Sequence, residues 1–455
     1  MMLVEWCNWF AGQLWGWPML VLITACGVVF TLGTGFFQIR HLPFIWRETI
    51  GKVFKKEALK GEGTITPFQA ISAALAGTIG NGNIAGVATA IALGGPGAVF
   101  WMWLMAILGM MTKFVEVTLA VLFREEHADG SFYGGPMHYI EKGLGKKWKP
   151  LAVFYGIMMI LGALGTAVWV QPSTMALAME TTFGVKPLYT VIVSVVITAL
   201  VVFGGFRRIG QFAEKVTPFL VIFYVVFSLG ILAVNIASLP GVFVTIFTYA
   251  FTPHAAVGGF AGATVMETLR RGASRGTFSN EAGLGTAPMV HATAITDHPC
   301  NQGLYGAMEV FIDTMVMCTM TALVILCVSP DLWSGGLTGA ELTFAGFSSL
   351  YGSFGHIVVT VAITLAALTT MIGFYFEYKT SVIYVFGENP VTLFIFNVIW
   401  LVPPFIALEK PVEFVWTIVD ISTGIEGIPN MIALLLLSPI FFKTYRAWLK
   451  ERGLK

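Results

Sequence analysis

Apolar residues along this chain gather into eleven stretches of the length that spans a hydrocarbon core, roughly 20 residues or more, separated by short polar segments. They cover about 17–37, 66–93, 97–123, 150–180, 186–204, 215–238, 241–268, 303–329, 354–386, 391–408 and 412–442. Each is read as a membrane helix. The segments between them carry a strong charge bias. With residue 1 outside, the cytoplasmic segments 38–65, 124–149, 205–215, 269–302, 379–390 and the C-terminal tail hold 23 of the 26 Lys and Arg residues. The outer loops hold only Lys186 and Lys410, and Lys113 lies within a span. Basic residues are retained on the cytoplasmic side, so the pattern predicts an outer N-terminus and a cytoplasmic C-terminus.

Two spans are interrupted. The second contains Ala76-Gly77-Thr78-Ile79-Gly80-Asn81-Gly82-Asn83-Ile84-Ala85-Gly86, with four glycines and two asparagines in eleven residues. The seventh contains Gly258-Gly259-Phe260-Ala261-Gly262-Ala263. A helix broken at membrane depth is tolerated only where protein buries it or it lines a cavity, and such helices form the sites of many secondary transporters. Setting the first span aside, the other ten divide into five and five, and each five begins with an interrupted span. An odd number of spans per half puts the two interruptions in opposite orientations, the signature of inverted repeats. The expected organisation is a first helix and basic linker over 1–65, one five-helix repeat over 66–238, a second over 241–442, and a tail over 443–455.

Composition places this organisation in a lipid bilayer. Hydrophobic residues make up 56% of the 455 and charged residues 11%, against about 25% charged in soluble domains. Net charge is +1, which leaves no basic surplus for nucleic acid. Five cysteines without a C-x-x-C motif suggest neither a disulfide framework nor a zinc site. No Ser-His-Asp order, nucleotide loop or HExxH-type motif appears, so the chain is not read as an enzyme and no cofactor is expected.

Several residues carry candidate chemistry. The amides at Gly80, Asn81 and Gly82 start a second half-helix, where the dipole favours an anion, while carbonyls freed before the break suit a small hard cation. Close packing through Gly82-x-x-x-Gly86 is the plainer reading. Ala366, Thr369 and Thr370 share one helical face and offer oxygens to a hard cation, although membrane threonines often bond their own helix. Gln171 can donate to and accept from a zwitterion, or bind a neighbouring helix. Charges inside spans are functional by default. Lys113 and Glu116 are expected to pair with each other; Glu309, Asp313 and Asp420 are read as structural or gating groups. His291, Asp297 and His298 are read as a loop surface.

The run Gly94-Gly95-Pro96-Gly97-Ala98-Val99-Phe100-Trp101-Met102-Trp103-Leu104-Met105-Ala106-Ile107-Leu108-Gly109 resembles the signature of the alanine/glycine:cation symporter family. The likeness extends through 77–149 and resumes at 275–288, Thr296-Asp297-His298-Pro299, 310–314 and Ile428-Pro429-Asn430. It implies an all-α membrane protein with the leucine-transporter fold: two inverted five-helix repeats and one extra N-terminal helix. It implies sodium-coupled uptake of alanine or glycine across the plasma (inner) membrane, with sodium as the coupling ion. Carbonyls of Ala76 or Gly77, Ile79 and Ala366, with the hydroxyls of Thr369 and Thr370, would hold sodium. The substrate carboxylate would meet Thr78, Gly80, Asn81 and Gly82, with Gln171 nearby. Its ammonium would meet carbonyls around Gly259, Phe260 and Gly262, and Phe260 and Phe374 would wall the side chain. This sequence departs from the family pattern at Asn81, Val168-Trp169-Val170 and Phe374, all within the implied pocket. A proton-coupled symporter or exchanger on the same fold, with Glu116 or Asp313 carrying the proton, is the alternative; a channel is a further one.

Overall fold

The computed structural model describes residues 2–53, 60–127, 130–253, 264–408 and 412–454, and helices dominate it. Those used below are α1 (Trp17–Gly33), α2 (Pro67–Thr78), α3 (Val87–Gly94), α4 (Ala98–Leu122), α5 (Lys149–Gly165), α6 (Gln171–Phe183), α7 (Pro187–Val202), α8 (Gly205–Val234), α9 (Leu239–Phe251), α10 (Val265–Asn280), α11 (Ala287–His291), α12 (Pro299–Val310), α13 (Thr319–Val328), α14 (Ser353–Phe386), α15 (Pro390–Leu401) and α16 (Val412–Glu451). Among the described residues eight helices are long and apolar enough to cross a membrane, each on an expected span. The protein is a multi-pass membrane protein.

The three remaining expected spans each have a reason to be shorter. α7 has 16 residues, about 24 Å at 1.5 Å per residue. The span at 66–93 is cut into α2 and α3, joined by a wide π-type turn over Gly82–Gly86. The start of α2 is fixed by local chemistry: Pro67 needs no amide partner, and Thr66 and Gln69 cap each other reciprocally, both at 3.1 Å.

The span at 241–268 is drawn differently by the structure. The glycine run at 258–263 lies outside the described residues. α10 begins where Thr268 donates to the Gly94 carbonyl at 2.8 Å. It then runs alongside α4 in the same direction: Gly272 stands at Ala98 and Gly276 at Met102, and Ala282 beyond its end meets Gly109. It ends at Asn280, inside the bundle. Glu281 then takes a left-handed backbone (φ 54), followed by Gly283 and Gly285 at φ 95 and 87, and α11 continues toward residue 298. A second interruption therefore sits at 281–286, inside the segment 269–302 expected as a cytoplasmic loop. The physical reason is coverage. From Gly272 to Asn280 every residue of α10 is buried, so its Arg, Ser, Thr and Asn side chains face protein rather than lipid, and apolarity does not mark the helix.

The same correction moves three arginines. Arg270 donates to Gly12 at 3.3 Å, Arg271 pairs with Glu267 at 2.6 Å and Arg275 with Asp420 at 3.1 Å. They stand at the Gly94 end of the bundle. The opposite, basic end is closed by Arg124, which donates to the carbonyls of Ala292, Ala294 and Glu62 at 2.7–3.0 Å.

The two broken helices run antiparallel and meet at their interruptions. A Cβ on Gly82 would lie 3.1 Å from the Phe278 ring, and Asn83 donates to Ser279 at 2.8 Å. α14 closes on α2 so tightly that a Cβ on Gly373 would stand 2.7 Å from the Gly77 amide. This antiparallel pair, with α4 and α14 packed on it, is the inverted-repeat arrangement of the leucine-transporter fold.

Two predictions follow from this packing. Gly272→Ala places a methyl 2.3 Å from the Ala98 carbonyl oxygen, a backbone atom that cannot yield cheaply. It is expected to cost about 1–3 kcal/mol, read as a lowered unfolding temperature in detergent; unchanged unfolding would show that α10 and α4 are further apart. At the basic end, burial pushes the His138 imidazole from 6.5 down to about 4, against the pull of Glu125. Above about pH 6.5 both folded and unfolded chains hold it neutral, and it adds nothing. As pH falls from there toward about 4, the unfolded chain takes the proton first, so stability declines. His138→Gln is expected to flatten that part of the unfolding-temperature profile.

Candidate functional site

The first break is built by side chains that replace lost helix partners. Ile79 leaves α2 in an extended conformation. The Gly80 amide donates to Asn83 Oδ1 at 2.9 Å and the Asn81 amide to Gln171 Oε1 at 3.4 Å. The Ile79 carbonyl accepts from Thr370 Oγ1 at 3.5 Å. A Cβ on Gly80 would lie 2.9 Å from Thr370 Oγ1 and 3.3 Å from Gln171 Nε2, so only glycine lets these groups converge. Of the residues expected to form a site, Ile79, Gly80, Asn81, Gln171 and Thr370 are thus brought together, from α2, α6 and α14. Phe374 packs on Gly77, and Gly82 faces Phe278. Ala76 is buried in the same stretch of α2.

Others point elsewhere. Thr369 turns its hydroxyl to the carbonyls of Leu365 and Ala366 in its own helix, at 2.9 and 3.0 Å. Thr78 bonds Ala74 at 3.3 Å. Gly259, Phe260 and Gly262 lie outside the described residues.

The Asn81 side chain is fully buried, and neither its oxygen nor its nitrogen has a partner. An unsatisfied buried polar group costs about 1–3 kcal/mol, so this amide is left with hydrogen-bonding capacity inside the break. Glu377 stands one turn beyond Phe374, with Oε1 3.5 Å from the Cβ position of Gly77 and Oε2 unpartnered.

Sequence reasoning read Asp313 as a structural or gating group, or as the proton carrier of the alternative; in the structure it is the group that ties the first break to the end of α10. Asp313 Oδ1 accepts from Asn83 Nδ2 at 2.6 Å, and its Oδ2 accepts from Ser279 at 2.8 Å and Thr314 at 2.7 Å. One carboxylate therefore joins the first break, the end of α10 and a second π-type stretch over Phe311–Cys318. Asn83 and Asp313 were visible as polar residues in apolar spans, but nothing along the chain pairs them across 230 residues.

Two expectations about polar groups are corrected. Lys113 does not pair with Glu116. It reaches Glu309 at 3.6 Å and donates to the Glu281 carbonyl at 3.2 Å, while Glu116 accepts from Asn430 at 2.6 Å. Positions i and i+3 on a rigid helix diverge when each has a better partner on a neighbour. His291 is no loop surface: it is fully buried, 3.1 Å from Glu309 and 2.7 Å from Gln302. The second break is satisfied as the first is. Asn430 donates to the Gly283 carbonyl at 2.8 Å and Tyr155 to that of Leu284 at 2.8 Å.

Breaks lined by carbonyls, hydroxyls and amides can hold a hard cation and a zwitterion. Among the described residues no group of His, Cys, Asp and Glu has the arrangement for a transition metal. The fold and the site define a secondary transporter. Its match to the family model "Sodium:alanine symporter family" runs over residues 1–455, and the chain belongs to that family, whose members are amino-acid symporters. It is 40% identical to the Sodium/alanine symporter AgcS of Methanococcus maripaludis, over 95% of this chain and 94% of that protein. It is 40% identical to the Uncharacterized transporter YflA of Bacillus subtilis, over 96% and 91%, and 36% identical to the Probable sodium/glutamine symporter GlnT of Bacillus subtilis, over 96% and 89%. A solved manganese transporter of Eremococcus coleocola shares the fold at a TM-score of 0.53, with 12% identity over 85% of this chain and 81% of that one.

Asn83→Ala would leave the Gly80 amide and one side of Asp313 buried without partners. It is expected to destabilise by about 1–3 kcal/mol for each group left bare, measured by thermal unfolding in detergent. A variant as stable as the parent would show that water or another side chain fills the gap.

Proposed function

We propose that the protein carries a small neutral amino acid, alanine or glycine foremost, into the cell together with sodium by alternating access. The observation that carries this reading is the convergence at Gly80: amides held by exchangeable side-chain oxygens on one side of the break, and the Ile79 carbonyl beside the Thr370 hydroxyl on the other. Sodium takes the carbonyl side, between Ala76, Gly77 and Ile79 of the broken helix and Ala366, Thr369 and Thr370 of α14. Thr369 must release its own helix to join. The substrate carboxylate takes the amides of Gly80, Asn81 and Gly82, displacing the side-chain oxygens of Asn83 and Gln171 that cap two of them. The ammonium is received by carbonyls at the end of α10, near Phe278 and Ser279, because that turn lies against Gly82.

The charge bias supports a cell-membrane protein with an outer N-terminus. With the three arginines of α10 moved to the opposite side, it is 20 basic residues to 5, still in the sense of the positive-inside rule.

Uptake into proteoliposomes, with and without an inward sodium gradient, tests the reading. Sodium-driven accumulation of alanine or glycine is expected. Thr370→Ala removes a hydroxyl ligand worth about 1.5–3 kcal/mol, which raises the half-saturating sodium concentration roughly ten- to a hundredfold. Thr369→Ala acts less strongly. Unchanged sodium dependence in both variants would remove the ion from this place, and accumulation independent of sodium would remove it from the mechanism.

A further inference from the structure

We propose that His291 and Glu309 form a proton-binding site, loaded from the basic end of the bundle, whose occupancy resets the anchor of the second break. The basic end holds a cavity of about 470 Å³, lined by residues that include Lys52, Thr66, Asp297, Gln302, Tyr305 and Arg452. From Gln302 a chain of buried groups leads inward. Gln302 Nε2 lies 2.7 Å from His291 Nδ1, and His291 Nε2 lies 3.1 Å from Glu309 Oε2. Glu309 Oε1 is 3.6 Å from Lys113 Nζ, which donates to the Glu281 carbonyl at 3.2 Å. His291, Glu309 and Lys113 have no exposed surface.

The amide of Gln302 reads the state of the imidazole. An amide nitrogen at Nδ1 suits the neutral imidazole, whose proton then sits on Nε2, facing Glu309. The amide oxygen is buried with no partner. When a proton from cavity water binds Nδ1, the ring can no longer accept there. Turning the amide over then presents the idle oxygen to the new N–H. The chain gains one proton and no covalent bond breaks.

The charge that arrives competes with Lys113 for Glu309. The groups facing this pair are Lys113 and Glu116 of α4, Glu281 of the second break, Asp313 beyond α12 and Glu377 of α14. One ammonium cannot neutralise five carboxyls in an interior that penalises unpaired charge, so an added proton is accommodated. With the imidazolium bound to Glu309, Lys113 is released toward Glu281, the first residue of the 281–286 turn, and Glu116, whose partner Asn430 holds Gly283 within it. A proton at the basic end thereby changes how that turn is held.

Two measurements test this; only the second rests on the transport reading. In the full chain in detergent, labelled with ¹³C-histidine, the NMR signal absent from His291→Gln is expected to move as pH is lowered. Gln302→Leu alters that response, since it removes the charge-assisted bond to the imidazolium; this change also assigns the signal if His291→Gln does not fold. In proteoliposomes, sodium-driven uptake should change several-fold with pH on the basic side and not on the other, and His291→Gln should abolish that dependence. A signal that does not respond to pH, or a wild-type pH profile in His291→Gln, overturns the proposal. A titrating signal in a protein that carries no alanine upholds the proton site and fails only the transport reading.

Discussion

Every backbone amide and carbonyl at membrane depth needs a partner, because hydrocarbon supplies none. This constraint organises the molecule. At the first break Asn83, Gln171 and Thr370 take over from missing helix bonds, and Thr321 and Thr343 donate to the carbonyls of Asn83 and Ile84 in the wide turn, at 2.8 and 3.0 Å. At the second, Lys113, Asn430 and Tyr155 do the same for Glu281, Gly283 and Leu284. A transporter site is thus a place where side-chain bonds stand in for backbone bonds. Such bonds are exchangeable in a way that a helix ladder is not, and a substrate with a carboxylate and an ammonium can replace them.

The same requirement explains the buried charges. Lys113 is far from its sequence neighbour Glu116 in function: it spans from α4 to the second break, while Glu116 holds Asn430 of α16, which in turn binds Gly283 and Tyr139. Each member supports a carbonyl that the chain's own turn has freed. Asp313 performs the corresponding service between the two breaks. The interior is therefore polar where the helices are interrupted and apolar elsewhere, for instance around Met111, Phe114 and Ile325.

The legibility of the sequence follows from what each residue faces. Spans facing lipid announce themselves, because nothing but apolar side chains can line them; the eight long helices are all apolar enough to be read in this way, even α4, which protein largely covers. The first break was readable because Gly80-Asn81-Gly82-Asn83 interrupts such a span. The second was not: α10 is enclosed by protein, so its polar residues carry no penalty, and Glu281 to Thr286 read as part of a loop. The glycines at 258–263 drew attention for composition alone, while the positive φ angles that turn the chain fall at Glu281, Gly283 and Gly285.

The sequence by itself determined the membrane class, the positions of the eight long helices, the first break and the family, and it singled out Gly80, Asn81, Gln171 and Thr370, which the structure brings together. These are local properties: hydropathy over one helix length, and residue types whose backbone or oxygen chemistry is needed wherever they sit. Only the tertiary structure decided the partners. That Asn83 meets Asp313, that Lys113 serves Glu281 and Glu309 rather than Glu116, and that His291 is buried behind Gln302 depend on how helices far apart in the chain come to lie against one another. A buried polar group is satisfied by whatever stands within about 3 Å, and that distance is set by packing, not by position along the chain.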